Sequence, residues 1–146
     1  MTSINGLDQT ADGGNGLENL ANETREDSSQ SSLISVVDDD RSMGRMLARI
    51  IGAAGLRVAV FNSAEEFLDS ASLNDSACLV LDVDLPGMSG LELQQRLNSR
   101  GHEIPIIFIS GQATEDTRER ALKAGALGFF NKPFNIFFLL KTIQSA

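Results

Sequence analysis

Five short apolar runs constrain the fold of this chain more than any other feature. They read LISVVD, RVAVF, CLVLD, IPIIFIS and LGFFN, and all of them lie after Ser32. Each run is almost continuously apolar and does not alternate with polar residues. This pattern is typical of strands that helices cover on both faces of a parallel sheet. The runs therefore predict five β-strands in a parallel sheet.

The segments between these runs have the spacing of amphipathic helices. Residues 41–54 place their apolar side chains on one helical face, and Gly55 follows as a stop signal. Ser63, with Glu66 three residues later, predicts the capped start of a short second helix. Further helices are predicted over residues 89–100, 114–124 and 135–143. The alternation predicts an α/β fold with a doubly wound five-stranded parallel sheet, flavodoxin-like, in the strand order 2-1-3-4-5.

The start of the chain differs in composition from the rest. Residues 1–32 are rich in Asn, Gly, Ser and acids, and they contribute −5 of the formal net charge of −8. They offer too little apolar surface to offset the entropy lost on ordering. We therefore predict a disordered acidic tail over residues 1–32 and one folded domain over residues 33–146.

Charge and cysteine content exclude several classes of function. An acidic chain without an evident basic stripe argues against nucleic-acid binding by these residues. No apolar run approaches the roughly 20 residues of a membrane span, and the amino terminus lacks a signal-peptide pattern. The single cysteine, Cys78, is interpreted as a small buried residue and suits a reducing compartment. The predicted location is the cytoplasm, without a membrane partner.

Polar residues stand where the predicted strands end. These are Asp38, Asp39 and Asp40 after strand one, Asp82 in strand three, Ser110 in strand four and Lys132 after strand five. The carboxyl ends of parallel strands share one edge of a sheet, and strands one and three are predicted neighbours. We therefore expect these side chains to converge there. Asp40 is instead assigned to capping the first helix.

The predicted carboxylate cluster requires a compensating charge. Neighbouring carboxylates are stable together only when they are protonated, paired or bound to a cation. Mg²⁺ fits, because it binds carboxylates together with phosphate oxygens. A lysine and a hydroxyl would offset and orient the charge of a phosphoryl group, and a carboxylate can itself form an aspartyl phosphate. The sequence therefore predicts a Mg²⁺-dependent phosphoryl site.

Four motifs, VVDDD, LDVDLPGMSG, FIS and FFNKPF, resemble the receiver (REC) domain of bacterial two-component response regulators. The resemblance covers nearly all of the chain after the predicted tail. It implies that Asp82 is the phosphoacceptor and that Asp38 and Asp39 form the acidic pair that holds Mg²⁺. Asp84 would add its backbone carbonyl as a metal ligand, with its side chain facing the mouth of the site. Lys132 would pair with Asp82 and later with the phosphoryl group.

The resemblance also implies a conformational switch. Ser110 would contact the bound phosphoryl group, and Phe129 stands where the family has its rotating aromatic residue. Gln112 lies where such domains tune the lifetime of the phosphoryl group. The peptide bond between Lys132 and Pro133 is expected to be cis.

The implied function is to accept a phosphoryl group from a sensor histidine kinase or a phosphotransfer protein. Phosphorylation would repack the surface formed by the fourth predicted helix, the fifth strand and the fifth helix. The domain would promote only its own phosphorylation and dephosphorylation, so it is not classed as an enzyme. The segment FNIFFLLKTI exceeds the apolar content of its predicted core face, Ile136, Leu140 and Ile143. That surplus predicts an exposed patch that serves as a homodimer interface or docking surface.

The output of the domain is expected to be control of transcription. The sequence around ISGQ and GFFNKPF is similar to receivers that are joined to helix-turn-helix DNA-binding domains. The chain ends just after the fifth predicted helix, which is compatible with a stand-alone receiver and with part of a longer regulator.

Other interpretations of the aspartates fit less well. An EF-hand loop beginning at Asp82 needs Asp or Asn where Pro86 stands and Glu where Leu93 stands. A haloacid-dehalogenase-type phosphatase needs Thr in place of Pro86 and its acidic pair after the lysine. A module that keeps only the fold would be favoured by a damaged acidic pair, Ser110 or Lys132, and all of these are intact.

Overall fold

A computed structural model describes residues 31–146 of the chain. All but the last two residues of the tail predicted over residues 1–32 lie outside this part. The strands are β1 (Leu33–Val37), β2 (Arg57–Phe61), β3 (Ser76–Asp82), β4 (Ile106–Ser110) and β5 (Gly128–Asn131). They form one parallel sheet in the order β2-β1-β3-β4-β5, which confirms the predicted fold class and strand order.

The described residues contain six helices, one more than the sequence predicts. They are α1 (Arg41–Ala53), α2 (Ala64–Leu68), α3 (Ser72–Asp75), α4 (Gly90–Ser99), α5 (Glu115–Lys123) and α6 (Ile136–Gln144). The extra helix is α3, a single turn whose four residues are too few to show a period in the sequence. The fourth and fifth predicted helices are therefore α5 and α6. None of the helices in residues 31–146 combines the length and apolar composition that crossing a membrane requires.

The helices cover the two faces of the sheet unequally. Helices α1 and α6 pack on one face through Leu47, Ile51, Leu139 and Ile143. The other face carries a cluster of buried residues from α2, α4 and α5, with Phe108 of β4 among them. The central strands β1, β3 and β4 are buried, while the edge strands β2 and β5 are half-exposed. The continuous apolar runs therefore describe the central strands better than the edge strands.

The helix starts are capped as the sequence suggests. Asp40 is the N-cap of α1, and its side chain accepts hydrogen bonds from the backbone N–H groups of Ser42 and Met43. Ser63 caps α2 by accepting from the N–H of Glu66, but Glu66 accepts from the N–H of Asn62 and not from that of Ser63. The predicted capping box at α2 is thus only half formed. A complete box, missed in the sequence, caps α4.

The buried face of α6 is rotated from the one predicted. Leu139 and Ile143 are buried against the sheet, whereas Ile136 and Leu140 are only half-buried at its side. The prediction that this helix leaves apolar side chains in solvent is correct, since Phe137 and Phe138 are 74% and 62% exposed. Leu139 was missed because every position from Ile136 to Leu140 is apolar, so the sequence shows no clear helical face there.

Candidate functional site

Three carboxylates meet where β1 and β3 end. Ligand atoms of Asp38, Asp39 and Asp82 all lie within 4.8 Å of one another. The two strands are hydrogen-bonded neighbours, with Val37 opposite Leu81, so the residues that follow these positions share one edge of the sheet. The topology therefore brings the predicted acidic residues together. These three carboxylates can hold a metal ion.

Lys132, directly after the edge strand β5, reaches this cluster along the same edge of the sheet. The Nζ of Lys132 donates to Asp38 Oδ2 at 3.0 Å and to Asp82 Oδ2 at 3.1 Å. Burial by itself would lower the pKa of Lys132, but the hydrogen bonds and charges of the two aspartates raise that pKa above its ordinary value. The ammonium therefore remains charged and compensates part of the negative charge.

Asp38 is the carboxylate of the cluster whose charged form is most disfavoured by burial. Its side chain is buried, and it accepts from the backbone N–H of Asp40 at 2.9 Å. Burial raises the pKa of Asp38, and the nearby charge of Asp82 adds to that rise. The hydrogen bonds from Asp40 and Lys132 lower the pKa but do not reverse the net shift. The site is thus short of positive charge at neutral pH.

Asp39 differs from Asp38 because it is exposed to solvent. Within the part of the chain that the structure describes, no donor contacts its carboxylate, which nevertheless lies in the cluster with Asp38 and Asp82. A carboxylate without a protein donor at the mouth of an acidic cluster retains its full capacity to accept from a cation. The donor set of the site is therefore that of a hard divalent ion.

Asp84 makes a contact that the sequence did not predict. Its side chain was expected to face the mouth of the site, but its Oδ2 accepts a hydrogen bond from Ser110 Oγ at 2.9 Å. Its backbone N–H donates to Asp82 Oδ1 at 2.9 Å. Ser110 is completely buried and its oxygen also accepts from the N–H of Gln112 at 3.3 Å. Asp84 therefore links the side chains of Asp82 and Ser110.

The end of β5 completes the site. The peptide bond between Lys132 and Pro133 is cis, as the resemblance implies. The backbone N–H of Lys132 donates to the carbonyl oxygen of Ser110 at 2.7 Å, which fixes the end of β5 beside that of β4. Phe129 is half-buried against Phe108, with 5.9 Å between their ring centres. Phe129 thus lies on the face of the sheet that carries the α2, α4 and α5 cluster.

Two further features were missed in the sequence. Glu65 on α2 accepts from the N–H of Met88 at 3.0 Å, and that bond lowers the pKa of Glu65. The contact ties the loop after β3 to α2, and no local pattern could have revealed it. The arginines at positions 41, 45 and 49 lie on successive turns of α1 and are all exposed. Their spacing of four residues is visible in the sequence. The expectation of a chain without a basic stripe is therefore wrong for α1.

Comparison with known proteins agrees with this geometry. The family model described as the response regulator receiver domain matches residues 34–144, which is most of the chain. The chain belongs to the response regulator receiver family. Receiver domains of this family interact with histidine kinases or phosphotransfer proteins, and they generally bind Mg²⁺.

Several curated relatives resemble this receiver domain. The response regulator protein TmoT of Ectopseudomonas mendocina is 44% identical over 117 residues, which are 80% of this chain and 53% of TmoT. The response regulator protein TodT of Pseudomonas putida strain F1 is 42% identical over 82% of this chain and 52% of its own length. The transcriptional regulatory protein FixJ of Azorhizobium caulinodans is 35% identical over 77% of this chain and 54% of its own length. The chain therefore spans about half the length of the curated relatives it matches.

Solved structures of response regulators have the same fold. The response regulator StyR matches with a TM-score of 0.73 and 40% identity over 79% of this chain and 58% of its own. The structure described as FixJ-N matches with a TM-score of 0.70 and 34% identity over 79% of this chain and 92% of its own. The five-stranded architecture of this receiver domain is thus that of known relatives.

Proposed function

We propose that this receiver domain accepts a phosphoryl group on Asp82 from the phosphohistidine of a sensor histidine kinase or a phosphotransfer protein. One observation supports this assignment above all. Asp82 is only 3% exposed at the end of β3, and one of its carboxylate oxygens is paired with Lys132 while two other aspartates crowd it. A buried, charged group held in this way is suited to nucleophilic attack.

The cofactor of this reaction is proposed to be Mg²⁺. Asp38, Asp39 and Asp82 would hold it through their carboxylates, and Asp84 through its backbone carbonyl. When bound, the ion neutralises charge that builds up on the phosphoryl oxygens. Three clustered carboxylates share the single ammonium of Lys132, and within residues 31–146 the carboxylate of Asp39 has no donor of its own; both observations support this choice.

Three side chains of the site have distinct proposed roles in the transfer of the phosphoryl group. A carboxylate oxygen of Asp82 forms the new bond to phosphorus while the bond from phosphorus to the histidine nitrogen breaks, and the imidazole leaves with that electron pair. Lys132 stabilises the charge on the transferred group. Ser110 donates a hydrogen bond from its hydroxyl group to a phosphoryl oxygen. The product is a modified receiver, which later loses phosphate to water, so the domain is not classed as an enzyme.

The signal is proposed to pass from Ser110 to Phe129. Ser110 and Phe108 lie on the same face of β4 because they are two positions apart in the strand, and Phe129 packs beside Phe108. Movement of Ser110 towards the phosphoryl group frees space beside Phe129, whose ring turns inward. This rearrangement changes the surface formed by α5, β5 and α6.

A second copy of this chain is the proposed partner of the α5–β5–α6 surface. Phe138 shares a side of α6 with Thr142, to which it is hydrogen-bonded. Thr142 lies close to Gly128 of the edge strand β5, and we propose that Phe138 lies on the side of α6 nearest that edge. Helix α5 has acids in its first turn and bases in its last turn. A face that carries both charges can complement itself across a two-fold axis, as a symmetric dimer interface requires.

The output is proposed to be control of transcription. Its support is the similarity of this chain to the transcriptional regulatory protein FixJ and to other response regulators. These relatives are about twice as long as the part that this chain matches.

Acetyl phosphate with Mg²⁺ tests the phosphoacceptor assignment. Intact-mass spectrometry should show a gain of one phosphoryl group in the unaltered protein and none in Asp82→Asn. The matched control is Asp69→Asn, which makes the same change at an exposed position at the end of α2. Phosphoryl gain that survives in Asp82→Asn would overturn the assignment.

A further inference from the structure

The hydrogen bond from Ser110 to Asp84 has a role beyond holding the loop after β3. Ser110 has one hydroxyl proton, and in this structure it goes to Asp84 Oδ2 at 2.9 Å. A hydroxyl donor whose single proton is committed to a carboxylate cannot donate to another acceptor at the same time. Hydrogen bonds that a carboxylate accepts are typically stronger than those between neutral groups. Ser110 must therefore leave Asp84 before it can bind a phosphoryl oxygen.

Asp84 is also fixed to the residue that would be phosphorylated. Its backbone N–H donates to Asp82 Oδ1 at 2.9 Å, so its position depends on the Asp82 carboxylate. A phosphoryl group on Asp82 replaces the single carboxylate charge with roughly −1.5 to −2 charges spread over three strong acceptor oxygens. Its charge repels the Asp84 carboxylate, and its oxygens compete for the Ser110 proton. Both effects act on the same hydrogen bond and in the same direction.

We infer that the Asp84 carboxylate is a positioning residue that holds Ser110 in its resting conformation and thereby opposes activation. This inference rests on the proposed function, because it assigns a regulator to that same site. The Asp84–Ser110 bond favours one of two states of the switch, and phosphorylation of Asp82 favours the other. A ligand shifts such an equilibrium only by its difference in affinity for the two states. Loss of the Asp84 carboxylate should therefore make the active state easier to reach.

A double-mutant cycle with beryllofluoride tests this inference. The probe is beryllofluoride at saturating Mg²⁺, with Mg²⁺ affinity measured separately for each variant. The affinity for beryllofluoride is compared among the unaltered protein, Asp84→Ala, Ser110→Ala and the double variant. Asp84→Ala retains the backbone carbonyl that is proposed to bind the metal. Asp84→Asn serves as an intermediate case, because it retains an acceptor oxygen but loses the charge.

The expected result is a tightening on the order of tenfold for Asp84→Ala, since hydrogen bonds to charged groups are typically worth that much or more. Asp84→Asn should tighten binding less. In the Ser110→Ala background the effect of Asp84→Ala should shrink at least several-fold, because the hydroxyl is gone. Before any probe is added, the amide NMR signal of Gln112 should move in Asp84→Ala, since this N–H donates to the Ser110 hydroxyl.

Two results would overturn the inference. One is equal tightening in both backgrounds, which would mean that Asp84 acts on the phosphoryl group by charge alone and not through Ser110. The other is unchanged or weaker binding in Asp84→Ala. Asp82→Asn separates this failure from failure of the proposed function. If Asp82→Asn still binds beryllofluoride, the assignment of Asp82 as the phosphoacceptor is wrong. If Asp82→Asn loses binding while one of the two results above is found for Asp84→Ala, the proposed function stands and only the role of Asp84 is rejected.

Discussion

At the scale of single residues, burial of the Asp38 carboxylate lowers the stability of the domain, although the same carboxylate is proposed to bind Mg²⁺. Its folded-state pKa is raised by burial above the unfolded value of 3.8, so the native state holds a proton more tightly than the unfolded chain does. Whatever stability this difference contributes is fully present below the unfolded pKa and is lost as pH rises through the folded pKa. At neutral pH the ionised Asp38 therefore disfavours the fold in the absence of a metal ion.

Asp38→Asn should consequently raise the unfolding temperature by a few degrees in the presence of EDTA. It should also abolish most of the gain in stability that Mg²⁺ gives the unaltered protein, because a ligand that binds only the native state stabilises it. Thermal unfolding followed by circular dichroism, with and without Mg²⁺, measures both effects. Asp69→Asn is the control. A lower unfolding temperature for Asp38→Asn in EDTA would show that its bond with Lys132 outweighs the cost of burial.

Burial suppresses the reactivity of the Cys78 thiol. It is completely buried in β3, and burial raises the pKa of its thiol to about 12. The native protein should therefore react with a thiol reagent such as DTNB only as fast as it unfolds, whereas the protein in urea should react at once. Because Cys78 is the single cysteine, the released chromophore reports on this residue alone. Rapid stoichiometric labelling of the native protein would contradict the burial of Cys78.

At the scale of elements, the geometry of the site depends on close contact between backbones. Gly90 is the first residue of α4, and a Cβ atom there would collide with the carbonyl oxygen of Asp82 and lie 3.0 Å from Val83 Cα. These are backbone atoms that cannot move without shifting the end of β3. The glycine therefore allows α4 to start directly against the strand that carries the proposed phosphoacceptor.

Gly90→Ala should destabilise the domain by about 1–3 kcal/mol, the usual cost of overpacking. Gly52→Ala is the matched control, because a Cβ atom at this position in α1 meets nothing within 4 Å. It should be neutral or stabilising by up to about 1 kcal/mol, since alanine favours a helix more than glycine does. Urea unfolding of both variants gives the comparison, and equal stability of the two would contradict this account of α4.

Much of this arrangement could be predicted from the sequence because it follows from chain topology. A parallel sheet brings the ends of its strands to one edge, so Asp38, Asp82 and Lys132 could be placed together without knowledge of any side-chain conformation. The bond between Asp84 and Ser110 could not be predicted. It depends on the side-chain torsions of one residue in a loop, and the sequence contains no periodic signal for these.

At the scale of the whole molecule, we propose that the exposed aromatic residues of α6 connect phosphorylation with dimerisation. Beryllofluoride and Mg²⁺ should shift the domain from monomer to dimer, as measured by light scattering after size-exclusion chromatography. Phe138→Glu should prevent this shift, because Phe138 is proposed to lie on the side of α6 nearest the β5 edge. Phe137→Glu, on the adjacent outward side of the same helix, is the matched control and should still dimerise. The proposed interface is wrong if both variants dimerise equally.

Asp82, and not one of the aspartates around it, is proposed to carry the phosphoryl group. The most direct measurement is to phosphorylate the domain with acetyl phosphate and Mg²⁺, reduce the acyl phosphate with sodium borohydride, and map the reduced residue by peptide mass spectrometry. We predict that homoserine appears at position 82 and at no other aspartate, and that Asp82→Asn yields none. Homoserine at position 38, 39 or 84 of the unaltered protein would contradict the claim.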